Sequence, residues 1–289
     1  HMGLLITTLI SAVVMGSIYG GVGLGYSLIY KASGSLNLSQ GQFLTVGAYI
    51  GMTLTKFLGL NFFIALPITM AVMFVIGILV EHGVVRALLE RGSQAANIIL
   101  CTLAISIILE NGCMLIYGGQ LQSSPQIFEG VLNVSVLGTN VPPEKLVALA
   151  VAVICMIALH LFLTKSRFGT AMRAAALDSK AASAVGINVG LTKAVTWGVS
   201  AAICGALGCV VGPAIGITIS LGAQIGYKAF AGAVVGGYGS MLGAVLGGLI
   251  FVVVESLVSL YISSQYSLTI SFMAVIVFMA FMPRGLLKA

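Results

Sequence analysis

The sequence predicts an all-α polytopic membrane protein, and three observations carry that prediction. Only 7% of the residues are charged and 59% are hydrophobic, whereas a soluble domain is about a quarter charged. Long stretches lack Asp, Glu, Lys and Arg altogether: 1–30, 32–55, 57–80, 92–109, 111–128, 146–164, 194–227, 229–254 and 256–283. These runs are continuously apolar, with none of the alternation over about ten residues that marks a membrane β-barrel. The mean hydropathy of +1.14 agrees.

A spanning helix needs about 20 apolar residues. On that measure, spans are predicted near 4–29, 41–57, 61–80, 96–117, 146–164 and 195–216. A shorter segment near 223–236 follows, then 241–262 and 266–283. Glu110 interrupts the fourth run without ending it. The total is nine crossings with the short segment and eight full helices without it. The whole chain, 1–289, reads as one transmembrane domain, with His1-Met2 as a tag remnant. Residues 3–30 lack the basic n-region of a signal peptide and read as a span.

Orientation follows from the bias of Lys and Arg toward cytoplasmic loops. Residues 165–193 carry five of the thirteen basic residues. Placing them in the cytoplasm puts Lys31, Arg86, Arg91, Lys165, Arg167, Arg173, Lys180, Lys193, Arg284 and Lys288 on one side, and Lys56, Lys145 and Lys228 on the other. The N-terminus is then outside and the C-terminus inside. The same topology accounts for the net charge of +6 without nucleic acid as a partner. The outer loop 118–145, with Gly118-Gly119, Pro125 and Pro142-Pro143, is expected to form a small cap or docking surface.

Glycines recur at intervals of four: Gly208, Gly212 and Gly216; Gly239, Gly243 and Gly247; Gly232 and Gly236. Small residues at this spacing let helix backbones approach closely, and a sliding or pore-lining surface uses the same pattern. The run Gly236-Gly237-Tyr238-Gly239-Ser240 is expected to break the helix, since each glycine costs about 1 kcal/mol relative to alanine. A broken helix within a membrane points to a transport path.

No enzyme signature is present. There is no Walker A sequence. The glycines of Gly21-Val22-Gly23-Leu24-Gly25 fail the dinucleotide pattern. His82 and His160 stand alone, without metal-ligand spacing. Cys101, Cys113, Cys155, Cys204 and Cys209 lie in apolar runs and read as buried free thiols. No metal or cofactor is implied.

Three charges fall at membrane depth: Glu110, Lys228 and Glu255. Such charges mark functional sites by default, and a pairing of Lys228 with a glutamate is the structural alternative. Between the first two spans, Asn37, Ser39, Gln40 and Gln42 are candidates to line a translocation route. The alternative is a cytoplasmic turn in which Asn37 or Ser39 caps the next helix. Within 171–187 the alanines favour one helix, ended by Gly186 or Gly190. That helix either lies on the bilayer or docks in a groove on a partner. An ion-coupled carrier using Glu110 or Glu255, and an uncoupled channel, are the rival readings.

Four segments together resemble a known family: LNLSQGQFLTVGAY (36–49), RAAALDSKAASAVGIN (173–188), KAFAGAVVGGYGSMLGAVLGGL (228–249) and MPRGLL (282–287). The chain is similar over nearly its whole length to the permease subunits of bacterial branched-chain amino acid ABC importers, of the LivH type. The resemblance implies a transport subunit in the inner membrane, paired with a second, different permease. It also implies two ATP-binding subunits and an external substrate-binding protein, with Leu, Ile and Val as substrates; related permeases move urea or short amides. A short cytoplasmic helix then meets the ATPase. Lys180-Ala181-Ala182-Ser183-Ala184-Val185-Gly186 matches the importer pattern Glu-Ala-Ala-x-x-x-Gly except at its first position. The downstream Ile-x-Leu-Pro is absent. Arg173, Ala174, Asp178, Lys180, Ala181, Ala182 and Gly186 are the coupling residues this implies. Asn37, Ser39, Gln40, Glu110, Lys228, Gly236, Gly237 and Glu255 are the candidates for the path.

Overall fold

A computed structural model describes residues 2–34, 36–92, 94–128, 134–136, 139–283 and 285–287. The helices are α1 (Met2–Ser33), α2 (Gln40–Met52), α3 (Phe62–Val80), α4 (Arg86–Glu90), α5 (Ala95–Tyr117), α6 (Pro143–Lys165), α7 (Arg167–Leu177), α8 (Ser179–Ala184), α9 (Val189–Ile215), α10 (Leu221–Gly236), α11 (Met241–Tyr261) and α12 (Ser267–Phe281). A π-helical turn at Thr53–Phe57 prolongs α2, and another at Glu81–Val85 joins α3 to α4. Strands β1 (Val134–Val136) and β2 (Thr139–Val141) pair antiparallel in the loop before α6.

Each of the nine expected segments coincides with a helix. Among the described residues, six stretches are long and apolar enough to cross a membrane alone: Ile6–Ser33, Phe62–Glu90, Ala96–Tyr117, Pro143–Lys165, Val189–Ile215 and Met241–Tyr261. Helices α2, α10 and α12 are shorter.

Local chemistry sets the boundaries. Asn61 accepts from the Phe63 N–H at the start of α3, Asn188 from Leu191 at α9, and Ser240 from Gly243 at α11. These caps satisfy amides that the first helical turn leaves unpaired. Gly118, Gly186, Gly216 and Gly237 follow helix C-termini at positive φ, where a Cβ would be strained.

Helix α9 is the central post, buried from Thr196 to Gly212 except for Val199. Helices α1, α2, α3 and α6 surround it. Glycine makes the approaches close enough for backbone contact. Gly47 of α2 meets Gly205 of α9, Gly208 meets the Leu44 carbonyl, and Gly77 of α3 lies on the Trp197–Ala201 turn. A second unit is the α10–α11 hairpin, where Gly232 packs on Gly247 and Gly248, and Gly236 on Gly243. The glycine stripes therefore serve packing. Two expected stripe members depart from the helical pattern: Gly216 ends α9 and Gly239 lies in the α10–α11 turn, both at positive φ.

The basic residues gather at one end. Arg86 reaches the backbone of Gly190, so the α3–α4 terminus lies beside the start of α9. Helix α7 contacts α1 and α9 at the same end, and the Tyr30 ring of α1 meets the Tyr238 ring at 4.8 Å. Arg284 and Lys288 lie outside the described residues. Their neighbours Leu286 and Leu287 donate backbone hydrogen bonds to Val235 and Gly236. Lys56, Asn61 and Ser124 line one cleft at the opposite end. There the outer loop turns inward, with Gln122 in an antiparallel bridge to Ile217.

Two expectations need correction. The single helix over 171–187 is divided at Asp178, whose extended backbone (φ −149°, ψ 104°) separates α7 from α8. Asp178 is also the cap that starts α8, since its carboxylate accepts from the Lys180 and Ala181 amides. Gly190 stops nothing and belongs to the first turn of α9.

Candidate functional site

Four groups of polar residues stand out. The first surrounds the start of α2. Gln40 donates to Ser200 Oγ at 2.8 Å and to Cys204 Sγ at 3.0 Å, while its carbonyl oxygen accepts from Asn37 at 3.2 Å. The Asn37 carboxamide oxygen accepts from both the amide and the hydroxyl of Ser39. Asn37, Ser39, Gln40 and Gln42 are all buried. Ser200 is the twelfth residue of α9, so Gln40 sits roughly 18 Å along that helix at 1.5 Å per residue. The chain after α1 thus re-enters the bundle, and α2 begins inside it. Ser39 occupies the cap position without a side-chain cap bond. These four residues are buried rather than in an exposed turn, and their hydrogen bonds offset the cost of burying polar groups.

The second group runs from there along α2. Gln42 donates to Glu110 Oε2 at 3.1 Å. Gln42 Oε1, Thr45 Oγ1 and the Tyr49 hydroxyl have no hydrogen-bond partner. Their spacing of three and four places them on one helix face. Tyr49 stacks on Tyr117 of α5 with centroids 4.5 Å apart, and the Tyr117 hydroxyl meets Thr53 at 2.7 Å.

The third group is the ion pair. Lys228 of α10 meets Glu255 Oε1 of α11 at 2.7 Å, with side chains 20% and 16% exposed. The ammonium lies 5.8 Å from the centroid of the Tyr19 ring. Lys228 is thus inside a helix, paired, rather than in an outer loop. Glu110 has a different partner, so the three membrane charges form two sites.

The fourth group is the α7–α8 elbow at the basic end. Arg173, Asp178, Lys180 and Ala181 are exposed, and Ala174 is half-buried. Ala182 is buried and anchors α8. Leu177 and Val185, flanking α8, are 90% and 77% exposed. Gly186 closes the elbow at φ +89°. Gly236 and Gly237 stand apart from the polar groups. Both are buried, Gly236 against Gly243 and Gly237 against Gly285, at the same end of the bundle as Tyr30.

Several residues of these groups escaped sequence reading: Ser200, Thr102, Thr45, Tyr49, Tyr117 and Tyr19. Thr102 accepts from the Leu38 amide at 3.1 Å. A lone hydroxyl in an apolar run carries no signal of what it faces.

A bundle of apolar helices, six of its stretches long enough to cross a membrane, with a re-entrant start to α2 and paired charges within it, is that of a polytopic membrane protein. The chain belongs to the family described as branched-chain amino acid transport system / permease component, which matches residues 8–281. It is 31% identical to the high-affinity branched-chain amino acid transport system permease protein LivH of Salmonella typhimurium, over 96% of this chain and 93% of that one. It is 29% identical to the permease protein BraD of Pseudomonas aeruginosa, over 62% of each. Among solved structures, PsaBC from Streptococcus pneumoniae in complex with Fab superposes with a TM-score of 0.50 at 16% identity. That match covers 94% of this chain and 89% of the other, and shows a shared fold.

Proposed function

We propose that this chain is the non-catalytic membrane subunit of an ATP-driven importer for amino acids, with Leu, Ile and Val as its substrates. Family membership over nearly the whole chain supports the transport role. The relatives' printed names supply the substrate class. In this reading the protein lies in the bacterial cytoplasmic membrane with its N-terminus outside and its C-terminus inside. Its partners are a second permease, two ATP-binding subunits and an external binding protein.

The observation that carries the coupling reading is the α7–α8 elbow. Leu177 and Val185 are almost fully exposed on a segment bearing Arg173 and Lys180. Apolar side chains held out on a capped, rigid turn suit a groove on a partner. Closure of the ATP-binding subunits would then move α7 and α8 against α1 and α9. The polar groups at Asn37, Ser39, Gln40, Glu110, Lys228 and Glu255, with the helix break at Gly236 and Gly237, are the candidates for the path.

The test is purification from native membranes in mild detergent followed by mass spectrometry. Recovery of a P-loop ATPase and a second permease is expected. Recovery of this chain alone, with ATP-independent uptake in liposomes, would overturn the proposal. A second check is Gly186→Val. No atom lies within 4 Å of an added Cβ there, so its effect is confined to the backbone. Left-handed φ costs such a residue roughly 1–2 kcal/mol, enough to disorder the elbow. ATP hydrolysis should continue while uptake falls.

A further inference from the structure

The Lys228–Glu255 pair does not sit in a closed core. It borders a cavity of about 430 Å³ between α1, α10, α11 and the start of α12. That volume falls within the range of small-molecule sites, about 300–1,000 Å³. Hydroxyls from Ser11, Ser256, Ser259 and Ser267 line it, along with the Tyr19 ring; Met15, Val252 and Leu260 supply an apolar wall. Ser11 lies in the first half of α1 and Ser259 in the last half of α11, so the cavity faces the end of the bundle opposite the basic one. Lys145 donates to Ser11 from a neighbouring crevice and does not line this cavity.

We infer that this cavity binds the zwitterionic head group of an α-amino acid, with the Lys228–Glu255 pair as its two-point receptor. The inference rests on the importer reading and specifies where in this chain the head group is held. The substrate carboxylate takes Glu255's place on the Lys228 ammonium, and the substrate ammonium takes Lys228's place on the Glu255 carboxylate. Both protein charges keep a partner, so opening the pair leaves no unpaired charge in a poorly solvated site. A monovalent anion or cation satisfies one side and strands the other. The hydroxyls solvate the exchanging groups, and the Met15, Val252 and Leu260 wall accepts an aliphatic side chain. A pair that served only to hold α10 on α11 would need no hydroxyl-lined cavity beside it.

The experiment places a reporter on the cavity wall. Ser259→Cys is introduced into the full chain within the assembled complex in lipid nanodiscs. Modification at residue 259 by a small water-soluble methanethiosulfonate is timed by mass spectrometry. L-leucine, 4-methylpentanoate and 3-methylbutan-1-amine are added in turn; the latter two are leucine without its ammonium and without its carboxylate. A ligand at about ten times its Kd should slow labelling about tenfold. The expected result is protection by leucine alone, and its loss in Lys228→Met/Glu255→Gln. The swapped pair Lys228→Glu/Glu255→Lys, which keeps both charges should the neutral variant fail to fold, is expected to retain protection.

Equal protection by all three compounds, or protection that survives the neutral double variant, would overturn the inference. If the Ser259→Cys complex takes up leucine but leucine never protects residue 259, the cavity assignment fails and the importer reading stands. If the wild-type complex takes up no amino acid, the importer reading fails and the inference falls with it.

Discussion

Gln40 is a buried polar side chain with three hydrogen-bond partners. Its amide donates to Ser200 and Cys204 and its carbonyl accepts from Asn37, so it ties the re-entrant segment to the central helix. Gln40→Leu strands the Ser200 hydroxyl and the Asn37 amide in a buried site. Each unsatisfied group costs about 1–3 kcal/mol. The expected outcome is a lower Tm in detergent, read by intrinsic fluorescence, with Gln40→Glu also destabilised because it places a carboxylate in a fully buried site. Gly208 makes the opposite case, since its constraint is space rather than polarity. A Cβ there would meet the Leu44 carbonyl and the Ala48 amide backbone. Gly208→Leu should separate α2 from α9 and abolish folded protein in size-exclusion chromatography, whereas Gly112→Ala, in α5 with no atom near its Cβ, should give a normal elution profile.

Among the elements, α8 shows how one side chain makes a helix. It is six residues long, and isolated helices so short are unstable in water. Two capping bonds from Asp178 and burial of Ala182 hold it. Asp178→Ala removes the cap, which is worth about 1 kcal/mol. Hydrogen exchange of the Ala182–Ala184 amides should accelerate, with α7 and α9 unchanged. The break at Asp178 was hidden because alanine fills 174–176, 181–182 and 184 on either side of it. An aspartate inside such a run reads equally well as a surface residue or a cap. Gly186, by contrast, was legible as a stop, because only glycine takes left-handed φ at little cost.

At the scale of the whole molecule, α9 organises the bundle. Trp197 is fully buried beneath α3, where Gly77 lies against its carbonyl. Trp197→Ala should cost about 3–5 kcal/mol as a large-to-small change in a packed core. Loss of the α3 approach should show as faster proteolysis at Arg91, in the turn after α4. The same organisation explains the different surfaces of the helices. Helix α5 leaves Ile108, Leu115 and Ile116 exposed, as suits a face turned to lipid or to another subunit, while α9 exposes almost nothing.

The sequence by itself determined the membrane class, the nine helical segments and the gathering of basic residues at one end. Each is a local property: runs of apolar residues without charge, or a count of Lys and Arg between them. It also announced the family, through four segments in order. Only the tertiary structure decided which polar groups meet. Lys228 and Glu255 are 27 positions apart, Gln42 and Glu110 are 68, and Gln40 and Ser200 are 160. Hydropathy along the chain says that each is costly in a membrane, but the cost is relieved by a partner whose position depends on how helices are placed. The depth at which α2 begins has the same origin. A polar stretch between two spans reads as a loop outside the bilayer, and it is drawn inside because α9 offers Ser200 and Cys204 there.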